Sequence, residues 1–135
     1  MATPNYSIHA ITAFYLLSFA PQVYSTILIN RATNGRFNTV NPRGSSSFES
    51  YQKSCDKATY ARFERARAAH ANALENLPLF AAAVICANIA RLDYGTVNMI
   101  CGVFLGLRAL HSVLYIAIEN RRLAYARSVV FSGSA

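Results

Sequence analysis

The sequence predicts an all-α integral membrane protein whose helices pack as a four-helix bundle. Apolar residues make up 53% of the chain and charged residues only 14%, whereas a soluble domain has about 25% charged residues. The apolar residues gather in long runs, and the cationic residues cluster in short polar stretches between those runs. A length of 135 residues corresponds to one domain, which we predict to occupy residues 1–135.

The first apolar run predicts a membrane-spanning helix at about residues 6–29. It holds about 24 residues without a Lys, Arg, Asp or Glu, or roughly 36 Å of helix, which is enough to cross a bilayer. A cleaved signal peptide is the alternative, but it needs a basic start, and Arg31 is the first cationic residue. We therefore favour a retained helix, bent near Pro21.

A polar stretch at about residues 31–59 is predicted to be a loop. Asn41-Pro42, Gly44 and the serines that follow are turn and loop signals. Eight cationic and three acidic residues occur between Arg31 and Arg67, an excess that predicts a cytosolic loop by the positive-inside rule. That rule explains the basic charge without a nucleic-acid partner.

The second predicted helix, at about residues 60–90, is apolar in its second half and polar in its first. Pro78 lies near this boundary, where we expect a bend. Ionisable groups are costly inside a membrane and usually face a bundle interior or a wet cavity. This helix is therefore the first candidate for a functional site. Its polar residues are Arg65, Arg67, His70, Asn72, Glu75 and Asn76.

Two further helices are predicted at about residues 96–118 and 122–135, joined by a second basic loop. Arg108 and His111 alone interrupt the first of these apolar runs. The last run has about 13 residues, near 20 Å of helix, which is less than a full span. The positive-inside rule predicts that the first and third loops are cytosolic and the N-terminus is not.

Polar residues on three predicted helices could converge at one depth near the cytosolic side. Asn72 and Glu75 are i, i+3 neighbours on the second helix, so they share one face. Positions 108, 111 and 115 share one face of the third helix in the same way. The residues that such a pocket would gather are Asn72, Glu75, Arg108, His111, Tyr115, Arg127 and Ser128.

Such a pocket suits an anionic cofactor or acid–base chemistry. Cations and amides can hold carboxylates, a glutamate can pair with an ammonium group, and an arginine beside a thiol favours the thiolate. The alternative is structural: Glu75 pairs with Arg108, Asn72 bonds across a helix contact, and His111 packs as a bonded core residue. Tyr115 could equally be a buried aromatic. The three cysteines show no metal-ligand spacing, so no metal site is predicted.

Several of these residues match the motifs of a known family. The matching pieces are Asn41-Pro42, Arg65, Ala69-His70-Ala-Asn72-Ala-Leu-Glu75, Arg108-Ala-Leu-His111-Ser-Val-Leu-Tyr115 and Arg127-Ser128. They occur in order over nearly the whole chain, which resembles the MAPEG family of small four-helix membrane proteins in eicosanoid and glutathione metabolism. The run Glu75-Asn-Leu-Pro-Leu-Phe80 is most similar to microbial members.

The resemblance implies a homotrimer that binds glutathione between neighbouring subunits, in a site open to the cytosol. By that resemblance Asn72 and Glu75 hold the glutathione backbone, and His111 and Tyr115 line the site. Arg127 would approach the thiol and stabilise the thiolate. The candidate catalytic residues are Glu75, His111, Tyr115 and Arg127, which could also do acid–base work without glutathione.

Other positions add to this implied site or depart from it. Arg31 could reach a neighbouring subunit's ligand, and Ser128 follows the helix-four arginine. Prostaglandin-synthase-like members carry an arginine where this chain has Ala68 and a tyrosine where it has Phe131. Arg65 or Arg67 could replace the missing clamp on a glutathione carboxylate. The implied cofactor-binding set is Asn72, Glu75, Arg65, Arg67, His111, Tyr115, Arg127, Ser128 and Arg31.

These observations lead to one main functional hypothesis and two alternatives. The main hypothesis is a membrane-embedded, glutathione-dependent transferase, peroxidase or isomerase that acts on a lipophilic substrate. The second is a glutathione-independent cyclase or isomerase of secondary metabolism that uses acid–base residues of the same pocket. The third is a non-catalytic lipid-binding or regulatory protein. In a eukaryote, the expected location is the endoplasmic reticulum membrane.

Overall fold

The computed structural model describes residues 3–119, 129, 132 and 133 of the chain, and their regular structure is helical. The helices are α1 (Ser7–Ala32), α2 (Ser45–Ser54), α3 (Lys57–Ile89) and α4 (Tyr94–Ala117). Three of them, α1, α3 and α4, are long and apolar enough to cross a membrane. The predicted all-α membrane fold is therefore confirmed.

The stretch predicted as a loop at about 31–59 differs in the structure, since it contains the ten-residue helix α2. Phe48 and Tyr51 lie three residues apart and so share one face, which packs against the bundle. This tertiary contact stabilises a helix that is too short to be stable alone and too polar to be recognised as apolar. The predicted fourth apolar helix, about 122–135, falls almost entirely outside the described residues.

The hydrophobic core of the bundle is built around three phenylalanine rings, one from each long helix. Phe80 of α3 stacks on Phe104 of α4 with ring centroids 4.1 Å apart. Phe14 of α1 meets both rings edge-on, at 5.5 Å and 5.0 Å. Offset and edge-on arrangements are favourable for aromatic pairs, so this cluster fixes how the three helices rotate against one another.

One end of the bundle, called here the basic end, contains the end of α1, all of α2, the start of α3 and the end of α4. A second hydrophobic cluster forms there around Ile29, Tyr51 and Phe63. Arg65 on α3 donates from Nε to the carbonyl of Ile116 (3.0 Å) and from Nη2 to Glu119 (2.9 Å). These bonds hold the last turn of α4 level with Arg65, so α3 extends beyond α4.

The opposite end is held by neutral amide and hydroxyl groups. Asn88 near the end of α3 accepts a hydrogen bond from the side chain of Asn5 and donates to Ser7 Oγ (2.9 Å). Asn98 of α4 accepts from the backbone N–H of Tyr6 (2.9 Å) and donates to the carbonyl of Pro4 (2.8 Å). The start of the described chain is therefore bonded to both α3 and α4.

The two helices that follow tight connections begin at aspartate caps. The carboxylates of Asp56 and Asp93 accept hydrogen bonds from the backbone N–H groups of Thr59 (3.0 Å) and Thr96 (2.8 Å). The hydroxyl and then the backbone N–H of Thr59 lower the pKa of Asp56. The backbone N–H and then the hydroxyl of Thr96 lower the pKa of Asp93. Both carboxylates thus satisfy N–H groups that lack a partner within the helix.

Candidate functional site

Arg108 is a buried cation deep in the bundle, bonded to a neighbouring helix. Its Nη2 donates to Oδ1 of Asn76 on α3 (3.1 Å), and only 3% of the arginine is exposed. At 1.5 Å per residue, Arg108 lies roughly 21 Å from the start of α4 and roughly 14 Å from its end. Its guanidinium also faces the ring of Phe104, 5.3 Å from the centroid. A buried guanidinium at this depth has a structural or functional reason to be kept.

Arg108 and Asn76 form the polar end of an apolar groove between α3 and α4. The groove has a volume of about 360 Å³, which lies within the usual range for small-molecule sites. From Arg108 it follows α4 toward the opposite end as far as Met99, roughly 14 Å of helix. Its apolar lining includes Leu79, Phe80, Ala83, Val103, Phe104 and Leu107. An apolar groove closed by a cation and an amide fits an amphipathic ligand.

The predicted polar face of α3 continues directly into this groove. Asn76 donates from Nδ2 to the carbonyl of Asn72 (2.7 Å), which links two successive turns. Leu79 and Ala83 of the groove lie four and eight residues after Glu75, on the same face of the helix. Asn72 is half-buried and Glu75 is exposed. A single surface of α3 therefore changes from polar to apolar as it passes Asn76.

The anticipated structural pairing of Glu75 with Arg108 is wrong. Among the described residues, the salt bridges join Arg62 and Arg65 to Glu119, and none involves Glu75. Successive helical positions differ by about 100°, so Asn76 faces α4 where Glu75 faces outward. The backbone carbonyl of Asn72 accepts a hydrogen bond from the Asn76 side chain within α3.

His111 and Tyr115 lie next to each other on α4, as their spacing predicts. Their ring centroids are 5.7 Å apart, His111 is buried and Tyr115 is half-buried. Both residues follow Arg108 on the same face and lie closer to the basic end. Arg108, His111 and Tyr115 thus form the predicted polar face of α4, with its deepest member at the groove.

Three predicted cationic site residues are found at the basic end, away from the groove. Arg65 is occupied by Ile116 and Glu119, so its donors stabilise the end of α4. Arg67 places its guanidinium over the ring of Phe48 in α2, 4.2 Å from the centroid. Arg31 is exposed at the end of α1. Arg65 and Arg67 are therefore both engaged in contacts at the basic end.

His70 has a structural partner on another helix. Its Nδ1 lies 2.6 Å from the carbonyl of Ser18 in α1, and its ring is next to Phe19 at 5.3 Å. The histidine is buried in the interface between α1 and α3. This contact accounts for a polar group in the buried part of α3.

The predicted residues Arg127 and Ser128, and the departure at Phe131, lie outside the described residues. Asn76 was not among the residues expected to converge in the pocket, although its spacing of four residues from Asn72 was a signal. The groove was also missed, because Leu79, Ala83, Val103 and Leu107 look like any other membrane-helix residues. Only the packing of α3 on α4 identifies them as a lining.

Long apolar helices with a polar face inside the bundle define the chain as an integral membrane helical protein. The sequence model of the MAPEG family matches residues 9–135, nearly the whole chain, and the protein belongs to that family. No match to the chain is found among curated proteins or among solved structures.

Proposed function

We propose that the protein is a membrane enzyme that uses glutathione to transform a lipophilic substrate held in the α3–α4 groove. The observation that supports this most directly is the continuity between the Asn72–Glu75 face and the groove that begins at Asn76 and Arg108. A polar cofactor on the first surface and an apolar substrate on the second would meet at that junction. Membership of the MAPEG family supports the choice of glutathione.

Glu75 supplies a physical reason for a ligand or a second subunit at this surface. It lies ten residues beyond Arg65 on α3, roughly 15 Å further from the basic end. An exposed carboxylate at that depth would face lipid in an isolated chain. The free energy of placing a charged side chain there is unfavourable by about 2.5 kcal/mol or more. A homotrimer with glutathione between subunits would cover it, and the glutathione ammonium would pair with its charge.

The residues fit glutathione in part. The Glu75 carboxylate suits an ammonium group, and the Asn72 amide suits a peptide group. Arg65 and Arg67 are engaged elsewhere, so the exposed Arg31 of a neighbouring subunit is the better candidate for a glutathione carboxylate. When bound, glutathione would supply a thiol as donor or nucleophile, and Arg127 would favour its thiolate form.

The groove suggests how a substrate would lie. A hydrocarbon portion would occupy the surface between Ala83 and Val103, and a polar or anionic group would approach Arg108. The basic end would face the cytosol, with the N-terminus on the other side, because cationic residues concentrate at cytosolic loops. Glutathione would then enter from the cytosol and the substrate from the lipid.

Glutathione binding to the purified, reconstituted protein tests this proposal. Titration with millimolar glutathione should produce a saturable heat signal and a thiolate absorbance. Glu75→Gln should lower the affinity for glutathione about tenfold or more. Glu64→Gln is the matched control, because Glu64 is an exposed glutamate on the same helix nearer the basic end. If wild-type protein shows no saturable binding, glutathione is not the cofactor.

The adjacent rings of His111 and Tyr115 favour a second candidate, acid–base catalysis without glutathione. The imidazole and the phenol would then move protons on a lipophilic substrate in the same groove. Turnover that persists without glutathione, and that is lost in His111→Ala and Tyr115→Phe, would favour this candidate. Lipid binding in the groove without turnover would instead indicate a non-catalytic member of the family.

A further inference from the structure

A loop at the basic end, residues 36–44, is held in one conformation by a network around Asn38. The Asn38 side chain accepts hydrogen bonds from the backbone N–H groups of Val40 and Asn41, both at 3.0 Å. Its Nδ2 donates to Ser47 Oγ (2.9 Å), and its backbone N–H donates to the hydroxyl of Tyr51 (2.8 Å). The 36–44 loop is therefore bonded to the helix that follows it.

Gly44 and Ser47 complete this network from the other side of the loop. Ser47 Oγ donates to the carbonyl of Asn41 at 2.8 Å. A Cβ atom on Gly44 would lie 2.5 Å from the Asn41 side chain, which is closer than real Cβ atoms approach. The Asn41 side chain therefore fills the space beside Gly44, and a larger residue there would displace that side chain.

This ordered loop presents an apolar side chain to its surroundings. Val40 is 93% exposed, and Arg36 and Arg43 on either side of it are also exposed. One exposed valine on a soluble protein needs no explanation. An exposed apolar residue between two arginines in a membrane protein has the composition of an interfacial element, which places apolar groups below the headgroups and cations among them.

The 36–44 loop is attached beside the bundle rather than beyond its tip. Tyr51, which accepts the Asn38 bond, packs with Ile29 and Phe63. Ile29 lies three residues before the end of α1, only about 5 Å along the helix. The loop is therefore anchored at the level where the spanning helices leave the apolar layer, which is the depth of lipid headgroups.

The surrounding charge is positive. Arg43 lies close enough to Arg67 for their guanidinium groups to repel each other. Among the described residues of the basic end, eight cationic side chains stand against four acidic ones, which are Glu49, Asp56, Glu64 and Glu119. An anionic group between Arg43 and Arg67 would be attracted by both.

We propose that the 36–44 loop binds anionic phospholipids of the surrounding leaflet, with Val40 inserted below the phosphates and Arg36 and Arg43 in contact with them. Each arginine at an anionic surface contributes about 1 kcal/mol, which is roughly fivefold in lipid preference. This lipid contact is separate from the candidate active site and does not depend on glutathione or on the reaction.

The absence of tryptophan from the chain allows a direct test. Val40→Trp and Ser50→Trp each introduce a single fluorophore at an exposed position, the first in the 36–44 loop and the second on α2. Both variants are reconstituted in vesicles of phosphatidylcholine with or without phosphatidylserine, and in lipids brominated near the carbonyl groups. Val40→Trp should show blue-shifted emission and bromine quenching that increase with phosphatidylserine, and Ser50→Trp should show neither.

Substitutions of the two arginines and of Asn38 extend this test. In the Val40→Trp background, Arg36→Gln and Arg43→Gln should each weaken the preference for phosphatidylserine about fivefold, and high salt should weaken it as well. Asn38→Ala, which removes the side-chain bonds that hold the 36–44 loop, should abolish the difference between the two tryptophan positions. If the tryptophan of Val40→Trp remains exposed to water and unquenched in both lipid mixtures, the proposal is wrong. A soluble protein would then be the better candidate for the partner of the 36–44 loop. Equal quenching with and without phosphatidylserine would overturn the role of the arginines.

Discussion

The guanidinium of Arg108 bonds to the side-chain oxygen of Asn76 at 3.1 Å, and this pair joins α4 to α3 where the apolar groove begins. The contact matters in two ways. It orients the cation toward the end of the groove, and it links the groove to the polar face that runs from Asn72 through Asn76. Stability and ligand binding should therefore both respond to changes at this pair.

We expect Asn76→Ala and Arg108→Met to be energetically coupled. A double-mutant cycle on unfolding in detergent should give a coupling energy of about 0.5–3 kcal/mol, because the two side chains share a hydrogen bond. The pair Asn88→Ala and Arg108→Met is the matched control, since Asn88 belongs to the network at the opposite end. Additive effects of Asn76→Ala and Arg108→Met would show that their contact carries no net energy.

Arg65→Ala should destabilise the protein more than Glu119→Gln. The arginine bonds to the Ile116 carbonyl as well as to Glu119, so its loss should cost about 1.5–3 kcal/mol. Glu119 is 57% exposed, and removing its charge should cost only about 0.2–1 kcal/mol. Thermal unfolding in detergent measures both, with Arg62→Ala as the control, since that arginine lies 3.9 Å from Glu119. If Arg65→Ala and Glu119→Gln lose the same stability, the bond from Arg65 to the Ile116 carbonyl adds nothing to the ion pair with Glu119.

Asn88→Leu should loosen the start of α1. It removes the bonds to Asn5 and Ser7 and should cost about 1–3 kcal/mol, with faster amide hydrogen exchange at residues 7–10. Asn98→Ala is the comparison, because its contacts with Tyr6 and Pro4 are more exposed and should matter less. Unchanged exchange at the start of α1 in Asn88→Leu would contradict this account.

Because of the two aspartate caps, we expect the stability of the protein to decrease at acidic pH. Their folded pKa values are lowered, so their stabilising contribution is complete above the ordinary aspartate pKa of 3.8 and is lost as the pH falls through the lower folded values. Asp56→Asn and Asp93→Asn should flatten the pH dependence of the unfolding temperature below about pH 4, near the ordinary pKa. The exposed Glu49→Gln is the control and should leave that slope unchanged.

Much of the bundle was predictable because a membrane span leaves a strong signal in sequence. Each of the three long helices contains a long apolar run, and the observed helix bounds lie within about three residues of the predicted ones. Helix α2 was not predictable in the same way, because its ten residues are polar and only Phe48 and Tyr51 pack inward. Short helices of that kind depend on tertiary contacts.

In the candidate site too, some contacts were predictable from sequence and others depended on tertiary packing. Spacing alone correctly placed His111 beside Tyr115, because residues four apart on a helix are always neighbours. Spacing could not choose between Glu75 and Asn76 as the partner of Arg108. The choice depends on how α3 is rotated against α4, and the packing of Phe80 on Phe104 fixes that rotation.

The sequence by itself determined that this is a helical membrane protein of the MAPEG family with ionisable groups on two of its helices. Hydropathy and helical periodicity are enough for the membrane helices and their polar faces, and the family follows from the match to its sequence model. Only the tertiary structure decided what each cation does: Arg65 holds the end of α4, Arg67 packs on Phe48, and Arg108 closes a groove. The physical reason is that the role of each arginine depends on the groups that contact its guanidinium, and those groups come from distant parts of the chain.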